Sequence, residues 1–313
     1  MSFPVPPAVL GTMTFGDTVD ADEARRILAL ALDAGVTWVD TANVYAGGES
    51  ERLLGRLLPR DRSDLTIATK VGIAHPDSGD LPPLSPAAIR TCVTASLRRL
   101  RAERVDLLYL HQPDPVTPLA QTFAEVDALI AEGLVGGVAT SNFAAWQLAL
   151  ISREPWPQPV LAQQVYSPVA RRLEDEYAGF AAAHGLATLA YNPLAGGLLT
   201  GRHRQQGAPT TGRFGSARLV VTYRDRYWND AVFGAVEGLG SVAAAHGLSL
   251  VELSLRWTLS APFVSGVLVG ASSAAHIEQN LAALARGPLP ADVVAEASAV
   301  TEPLRGEMPA YNR

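Results

Sequence analysis

The chain is short of several things, and each shortage narrows what it can be. It has one cysteine, Cys92, in 313 residues, so no disulfide can close within it. A reducing cytoplasm is the expected home for such a chain. Cys92 lies in an apolar helical pattern and reads as a small core residue. No apolar run approaches the roughly 18 residues that suggest a membrane span. The opening Met1-Ser2-Phe3-Pro4-Val5-Pro6-Pro7 lacks the basic and apolar regions of a signal peptide, so none is expected. Positive charge is also in deficit. The net charge of −6 argues against nucleic acid or an anionic membrane as the main partner. No GxGxxG follows a first strand, which argues against a Rossmann domain. The six histidines, at 75, 111, 184, 203, 246 and 276, show no HExxH or comparable ligand spacing, which speaks against a metal hydrolase.

Lysine is scarcest among the charged types. Of 25 Lys and Arg side chains, 24 are arginine and one, Lys70, is lysine. It ends the apolar run Leu65-Thr66-Ile67-Ala68-Thr69-Lys70, which reads as a buried strand. Ammonium is a compact point charge whose pKa moves readily on burial, whereas guanidinium stays charged and planar. A lone lysine at a strand end therefore points to chemistry that arginine cannot perform.

What is present is a βα alternation. Strand candidates are Ala8–Thr12, Val36–Thr41, Leu65–Lys70, Val105–His111, Val135–Thr140, Val160–Val165, Ala187–Tyr191 and Val264–Gly270. Helical patterns lie near 22–34, 48–58, 85–101, 117–132, 144–153, 174–184, 230–260 and 274–285. Repeated βα units imply a parallel sheet, and eight of them at this length imply an α/β (β/α)8 TIM barrel, read as one domain over 1–313. Asp20 and Ser85-Pro86 suit helix starts. Gly35, Gly133, Gly185 and Gly247 suit left-handed helix ends. His184 and His246 stand at two similar helix ends, beside the negative pole of each dipole. Two segments exceed ordinary loop length, Pro193 to about Trp228 and the tail from Gly287 to Arg313, and long loops of this kind tend to cover sites.

In such a barrel, reactive groups come from the C-terminal strand ends. Read there, the strands deliver Asp40 with Tyr45 in the following loop, Lys70, His111, Ser141-Asn142, Gln163-Gln164, Asn192 and Ser272-Ser273. Asp40, Tyr45, Lys70 and His111 make a coherent acid. A free phenol has a pKa of about 10, and an adjacent ammonium lowers it. A carboxylate would keep the lysine charged and fixed, and an imidazole can hold a substrate oxygen. This set fits a carbonyl whose oxygen gains a proton while its carbon gains a hydride, and a nicotinamide or flavin must supply that hydride.

The segments Asp40-Thr41-Ala42-Asn43-Val44-Tyr45, Thr69-Lys70, Leu110-His111 and Ser141-Asn142-Phe143 resemble, in order and placement, the aldo-keto reductases. The run Ala190-Tyr191-Asn192-Pro193-Leu194-Ala195-Gly196-Gly197-Leu198-Leu199-Thr200-Gly201 is similar to the branch that reduces aflatoxin aldehyde and succinic semialdehyde. So are Tyr223 to Trp228, Gly270 to Ser273, Glu278 to Leu281 and Pro309 to Arg313. The resemblance implies NADPH-dependent reduction of aldehydes and ketones, and small-molecule carbonyl substrates. It makes Tyr45 the proton donor, Lys70 and Asp40 its tuning partners, and His111 the carbonyl-orienting group. It assigns the nicotinamide carboxamide to Ser141, Asn142 and Gln163, and the pyrophosphate to Asn192, Leu194, Gly196, Gly197, Gly201 and Arg202. It assigns the adenosine end to Ser272, Gln279 and Asn280, and an anionic substrate group to Tyr223, Arg226 and Arg313. Arg202 and Arg213 are candidates for the phosphates. Similar proteins occur as dimers, so a homodimer is an assembly the resemblance allows. Arg202 stands where the branch more usually has Lys, and His276 where it has Gln.

Two other readings use the same residues. Lys70 could serve a Schiff-base lyase, but that chemistry needs a neutral amine, which an adjacent Asp40 would oppose. The barrel could instead be a nicotinamide-sensing module with little turnover.

Overall fold

Short runs rich in Val, Leu and Ile, bounded by polar residues and too brief for helices, pair into a closed eight-stranded parallel barrel in the computed structural model. The structure describes residues 3–59, 61–207, 209, 212–215 and 220–306. The strands are β1 (Ala8–Gly11), β2 (Trp38–Asp40), β3 (Thr66–Val71), β4 (Leu107–Leu110), β5 (Val138–Ser141), β6 (Leu161–Val165), β7 (Ala187–Tyr191) and β8 (Gly266–Val269). Each pairs with its sequence neighbours, and β8 closes onto β1 with Val9 opposite Leu268.

Alternation along each strand divides the core in two. Inward residues, among them Trp38, Ala68, Leu107, Tyr109, Leu161 and Leu189, pack on the barrel axis. Outward residues such as Leu10, Val39, Ile67, Leu108 and Val138 pack under the helices. Residues ahead of β1 close the N-terminal end of the barrel. The Phe3 ring meets the edge of Trp38 at 6.5 Å, and an added Cβ at Gly266 would lie 2.2 Å from the Pro6 carbonyl oxygen. Chemistry is thereby left to the opposite rim, where the strands end.

The outer helices are α1 (Ala21–Asp33), α2 (Glu49–Leu57), α3 (Pro86–Leu100), α4 (Leu119–Ala131), α5 (Ala145–Ile151), α6 (Tyr177–His184), α7 (Val220–Tyr227), α8 (Asp230–Ala245), α9 (Leu250–Ser260), α10 (Ala274–Ala285) and α11 (Ala291–Thr301). Asp20 caps α1 by accepting from the Asp22 and Glu23 amides, and Ser85 caps α3 through the Ala88 amide. The four glycines expected at left-handed helix ends have positive φ, from 61° to 81°.

Three expectations are corrected. The single helical stretch at 230–260 is two helices, α8 and α9, bent by 94°. Gly247 at φ +64° ends the first, and the Ser249 hydroxyl caps the second at the Glu252 amide. The long segment from Pro193 holds a 3-10 helix at Ala195–Thr200 and then α7. The tail from Gly287 contains α11 and a 3-10 turn at Glu302–Arg305. In both segments glycine and proline masked short helices that packing stabilises, because propensity is a weak prior beside tertiary contact. Among the described residues no single helix is long and apolar enough to cross a membrane.

Leu107 is fully buried on the axis. Leu107→Ala should lower unfolding free energy by about 2–5 kcal/mol, measured by urea denaturation. A loss below about 1 kcal/mol would show that the barrel interior can collapse around the cavity.

Candidate active site

The alternation that buries Ala68 inside the barrel also turns Lys70 inward, level with Tyr109 of β4. Its ammonium is completely buried and uses all three donors. Nζ donates to Asp40 Oδ1, to the Thr41 carbonyl oxygen at 2.9 Å and to the Tyr45 hydroxyl at 3.2 Å. The other Asp40 oxygen accepts from Gln163 Nε2 at 2.9 Å, across the barrel. An ion pair this deep is tolerable only when the remaining hydrogen-bonding valences are satisfied, as they are here.

Tyr45 opens a short 3-10 turn, Tyr45–Gly48, in which Ala46 (φ 49°) and Gly47 (φ 62°) are left-handed. That turn brings the phenol back over the strand ends, with Lys70 Nζ 4.9 Å from its ring centre. His111 follows β4 directly and meets Tyr45 edge-on, ring centres 6.0 Å apart. The four residues expected from the sequence therefore converge. The phenol oxygen accepts from lysine, which leaves the phenol's own proton to donate.

Protonation follows from burial and the one cation. Burial disfavours the Lys70 charge, but the Asp40 carboxylate, followed by Tyr45, outweighs it and raises the ammonium above its ordinary pKa. Burial also pushes the Asp40 carboxyl up, against the pull of Lys70. For Tyr45 the expected direction is corrected. Burial raises the phenol more than Lys70 lowers it, so the net shift is upward. Tyr45 thus keeps its proton at neutral pH, with the ammonium in place to stabilise phenolate as the proton leaves. His111 is pushed down to about 3 by burial and by the Lys70 charge, so its imidazole is neutral.

The remaining sequence-predicted residues fall into three groups. Ser141 ends β5 and Asn142 follows at φ 62°. Asn142 Nδ2 donates to the His111 carbonyl oxygen (2.9 Å) and to Ser141 Oγ (3.0 Å). Gln163 joins the tetrad through Asp40 instead of standing apart from it. Beyond β7, Asn192 (φ 60°) accepts from the Gly196 amide at 2.7 Å and from Arg213 Nη1 at 3.2 Å, so it gathers the glycine turn and a guanidinium. Leu194, Gly196, Gly197 and Gly201 form that turn, all three glycines at positive φ. An added Cβ at Gly197 would meet nothing nearer than His203 at 3.8 Å, so this stretch of backbone is open to close approach. Arg202 is exposed, and its charge reaches His203 and His276. Ser272 Oγ lies 3.0 Å from His276 Nδ1 at the start of α10. Asn280 is buried and tied to the Gly270 carbonyl oxygen at 3.4 Å, whereas Gln279 is exposed.

Of the residues expected to face substrate, Tyr223 is buried against the glycine turn, where a Cβ at Gly196 would lie 2.5 Å from its ring. Arg226 is exposed on α7, and its charge reaches the Tyr191 phenol. Arg313 lies outside the described residues. Two contributors were not singled out in the sequence. Tyr191 donates to Asn142 Oδ1 at 2.8 Å, and the fully buried Tyr109 ring lies 5.3 Å from Lys70 Nζ. Tyr109 was findable, since it is two residues before His111 and so shares its inward face.

The chain is similar in sequence to known proteins. The Aldo/keto reductase family model covers residues 7–302. Aflatoxin B1 aldehyde reductase member 2 of Rattus norvegicus is 36% identical over 98% of this chain and 88% of its own length. The Homo sapiens protein of the same name is 36% identical over 100% of this chain and 92% of its own. A probable voltage-gated potassium channel subunit beta of Arabidopsis thaliana is 33% identical over 90% of this chain and 88% of its own.

The His111 pKa carries a pH prediction. Between about 3 in the folded protein and 6.5 unfolded, the unfolded chain binds the extra proton, so this residue makes stability fall as pH drops through that window. His111→Gln should flatten that part of the stability–pH curve. The His111 ring resonances should stay those of neutral imidazole from about pH 8 to about pH 5, and a midpoint near 6.5 would refute the buried, lysine-facing ring.

Proposed function

The chain belongs to the aldo/keto reductase family and is an oxidoreductase acting on carbonyls, and on that premise we propose that it uses NADPH to reduce aldehydes and ketones, including carboxylate-bearing and dicarbonyl ones, as a single domain over 1–313. One observation carries the reading. A phenol whose pKa is raised, Tyr45, has its oxygen 3.2 Å from a buried lysine whose pKa is also raised, and stands beside a neutral imidazole.

The residues divide the work as follows. The His111 imidazole, held neutral, hydrogen-bonds the carbonyl oxygen and aims it at Tyr45. Tyr45 releases its proton to that oxygen as negative charge develops there. Lys70, already in contact with the phenol oxygen, stabilises the phenolate left behind, and Asp40 keeps Lys70 charged and in place. The nicotinamide, when bound, supplies the hydride. The residues on the rim fit such a group. The paired amides and hydroxyl of Ser141, Asn142 and Gln163 suit a carboxamide, and the open backbone at Gly197 beside Arg213 suits a pyrophosphate. Arg202 would hold the phosphates, the 2′-phosphate included, and Ser272, Gln279 and Asn280 the adenosine end. Arg226, with Tyr223 beside it and Arg313 on the terminal segment, would hold a substrate carboxylate, for which a planar guanidinium is suited.

The contact of Asp40 with Lys70 works against the Schiff-base alternative, because it keeps the amine protonated. The potassium channel subunit relative favours a second reading, a nicotinamide-sensing barrel with little turnover.

NADPH oxidation with a neutral aromatic aldehyde and with succinic semialdehyde tests these readings. Tyr45→Phe should lower turnover about 10²–10⁴-fold. Absent turnover in the wild type, with saturable nucleotide quenching of protein fluorescence, would move the conclusion to the sensing module. Arg226→Ala should raise KM for the semialdehyde more than for the neutral substrate, and equal effects would remove the carboxylate site.

Lys70→Met strands Asp40 as a buried, unpaired acid and should cost about 3–5 kcal/mol of stability. Adding Asp40→Asn should recover part of the stability without recovering turnover. Turnover near wild type in Lys70→Met would refute the tetrad.

A further inference from the structure

Tyr45 and Lys70 come from different elements, yet their contact is a single hydrogen bond of 3.2 Å. We propose that a second, largely buried ion pair, Glu51–Arg99, sets that distance, making both of them and Thr69 positioning residues for the proton transfer. The inference rests on Tyr45 being the proton donor.

Thr69 precedes Lys70 and so points outward from the barrel, toward α2. Its hydroxyl donates to Glu51 Oε1 at 2.6 Å, and both residues are fully buried. Glu51 is in the first turn of α2, where a carboxylate is favoured by the helix dipole, and α2 continues directly from the turn that carries Tyr45. One carboxylate oxygen therefore ties the Lys70 strand to the Tyr45 turn. The other oxygen accepts from Arg99 Nε at 2.6 Å. Arg99 lies directly behind the Tyr45 turn, since an added Cβ at Gly48 would fall 2.8 Å from its Cδ. Its far nitrogen pairs with Asp77 at 2.8 Å, in the segment that follows β3.

There is little slack in this assembly. An added Cβ at Gly55 would lie 2.3 Å from the Arg99 carbonyl oxygen, so α2 and α3 are already in backbone contact. A buried acid is not needed for packing at such a place, because well-packed apolar residues commonly serve stability as well or better. What leucine could not do is take a hydrogen bond from the residue beside Lys70 while holding a guanidinium beneath the Tyr45 turn.

Thr69→Val removes the hydroxyl and keeps the shape. It should lower kcat about tenfold, with KM for the aldehyde and the NADPH dissociation constant from fluorescence quenching both within about twofold of wild type. A looser contact with the ammonium raises the phenol pKa, so the alkaline limb of kcat should move up, and Thr69→Ser should restore it. The other groups acting on Tyr45, namely Asp40, Tyr223 and His111, are unchanged in these variants. Glu51→Gln retains an acceptor for Thr69 and should give a smaller shift of the same sign. A readout independent of turnover is the ultraviolet phenolate titration assigned to Tyr45 by subtracting Tyr45→Phe, which should also move up in Thr69→Val. If Thr69→Val lowers only Tm, leaving kcat, its pH limb and the phenolate titration at wild-type values, the ion pair is structural alone and the proposal falls. A wild type without NADPH turnover overturns the reductase reading instead, and the titration still decides this proposal.

Discussion

Everything at the open rim is organised around one ammonium that has no access to water. Lys70 lies in a barrel whose other inward residues are mostly apolar, so its charge is balanced by Asp40 and its hydrogen bonds by Thr41 and Tyr45. Leaving either ion unpaired there would be strongly unfavourable, which makes the pair a constraint on where β2, β3 and the Tyr45 turn can sit. The same charge governs its neighbours. It opposes the burial that raises Tyr45, and together with burial it keeps His111 neutral. One buried cation thus sits beside a phenol that holds its proton and an imidazole that adds no second positive charge.

The rim beyond the tetrad is built on two asparagines in left-handed backbone, Asn142 at φ 62° and Asn192 at φ 60°. Asparagine tolerates this region because its short amide can satisfy backbone groups locally. Each turns the chain sharply at a strand end and spends its amide on neighbours. Asn142 joins the end of β4 to Tyr191, and Asn192 joins Tyr227, the Gly196 amide and Arg213. Strain of this kind persists where the surroundings over-determine it, and it clusters at binding sites. Through Tyr191 the arrangement extends to α7 and the Arg226 charge.

Family membership sets the chemistry as oxidoreduction at a carbonyl. The relatives include aldehyde reductases and a channel subunit at 36% and 33% identity, so a shared barrel hosts more than one role.

Much of the architecture was legible in the sequence because its periods are local. Alternation and length marked all eight strands, and Asp20, Ser85 and the four helix-ending glycines marked helix boundaries, since capping uses atoms within a few residues. The lone lysine at a strand end, with Asp40, Tyr45 and His111 at neighbouring strand ends, determined the candidate site once the barrel was inferred. Tertiary structure alone decided the rest. It set the 94° bend between α8 and α9 at the boundary that Gly247 had marked, and drew α7 and α11 out of glycine- and proline-rich segments, because packing outweighs propensity. It also brought Gln163 onto Asp40 and Glu51 between Thr69 and Arg99. It reversed the expected net shift of the Tyr45 phenol, because the cost of burial depends on how much water the folded chain excludes, and no single strand or spacing carries that quantity.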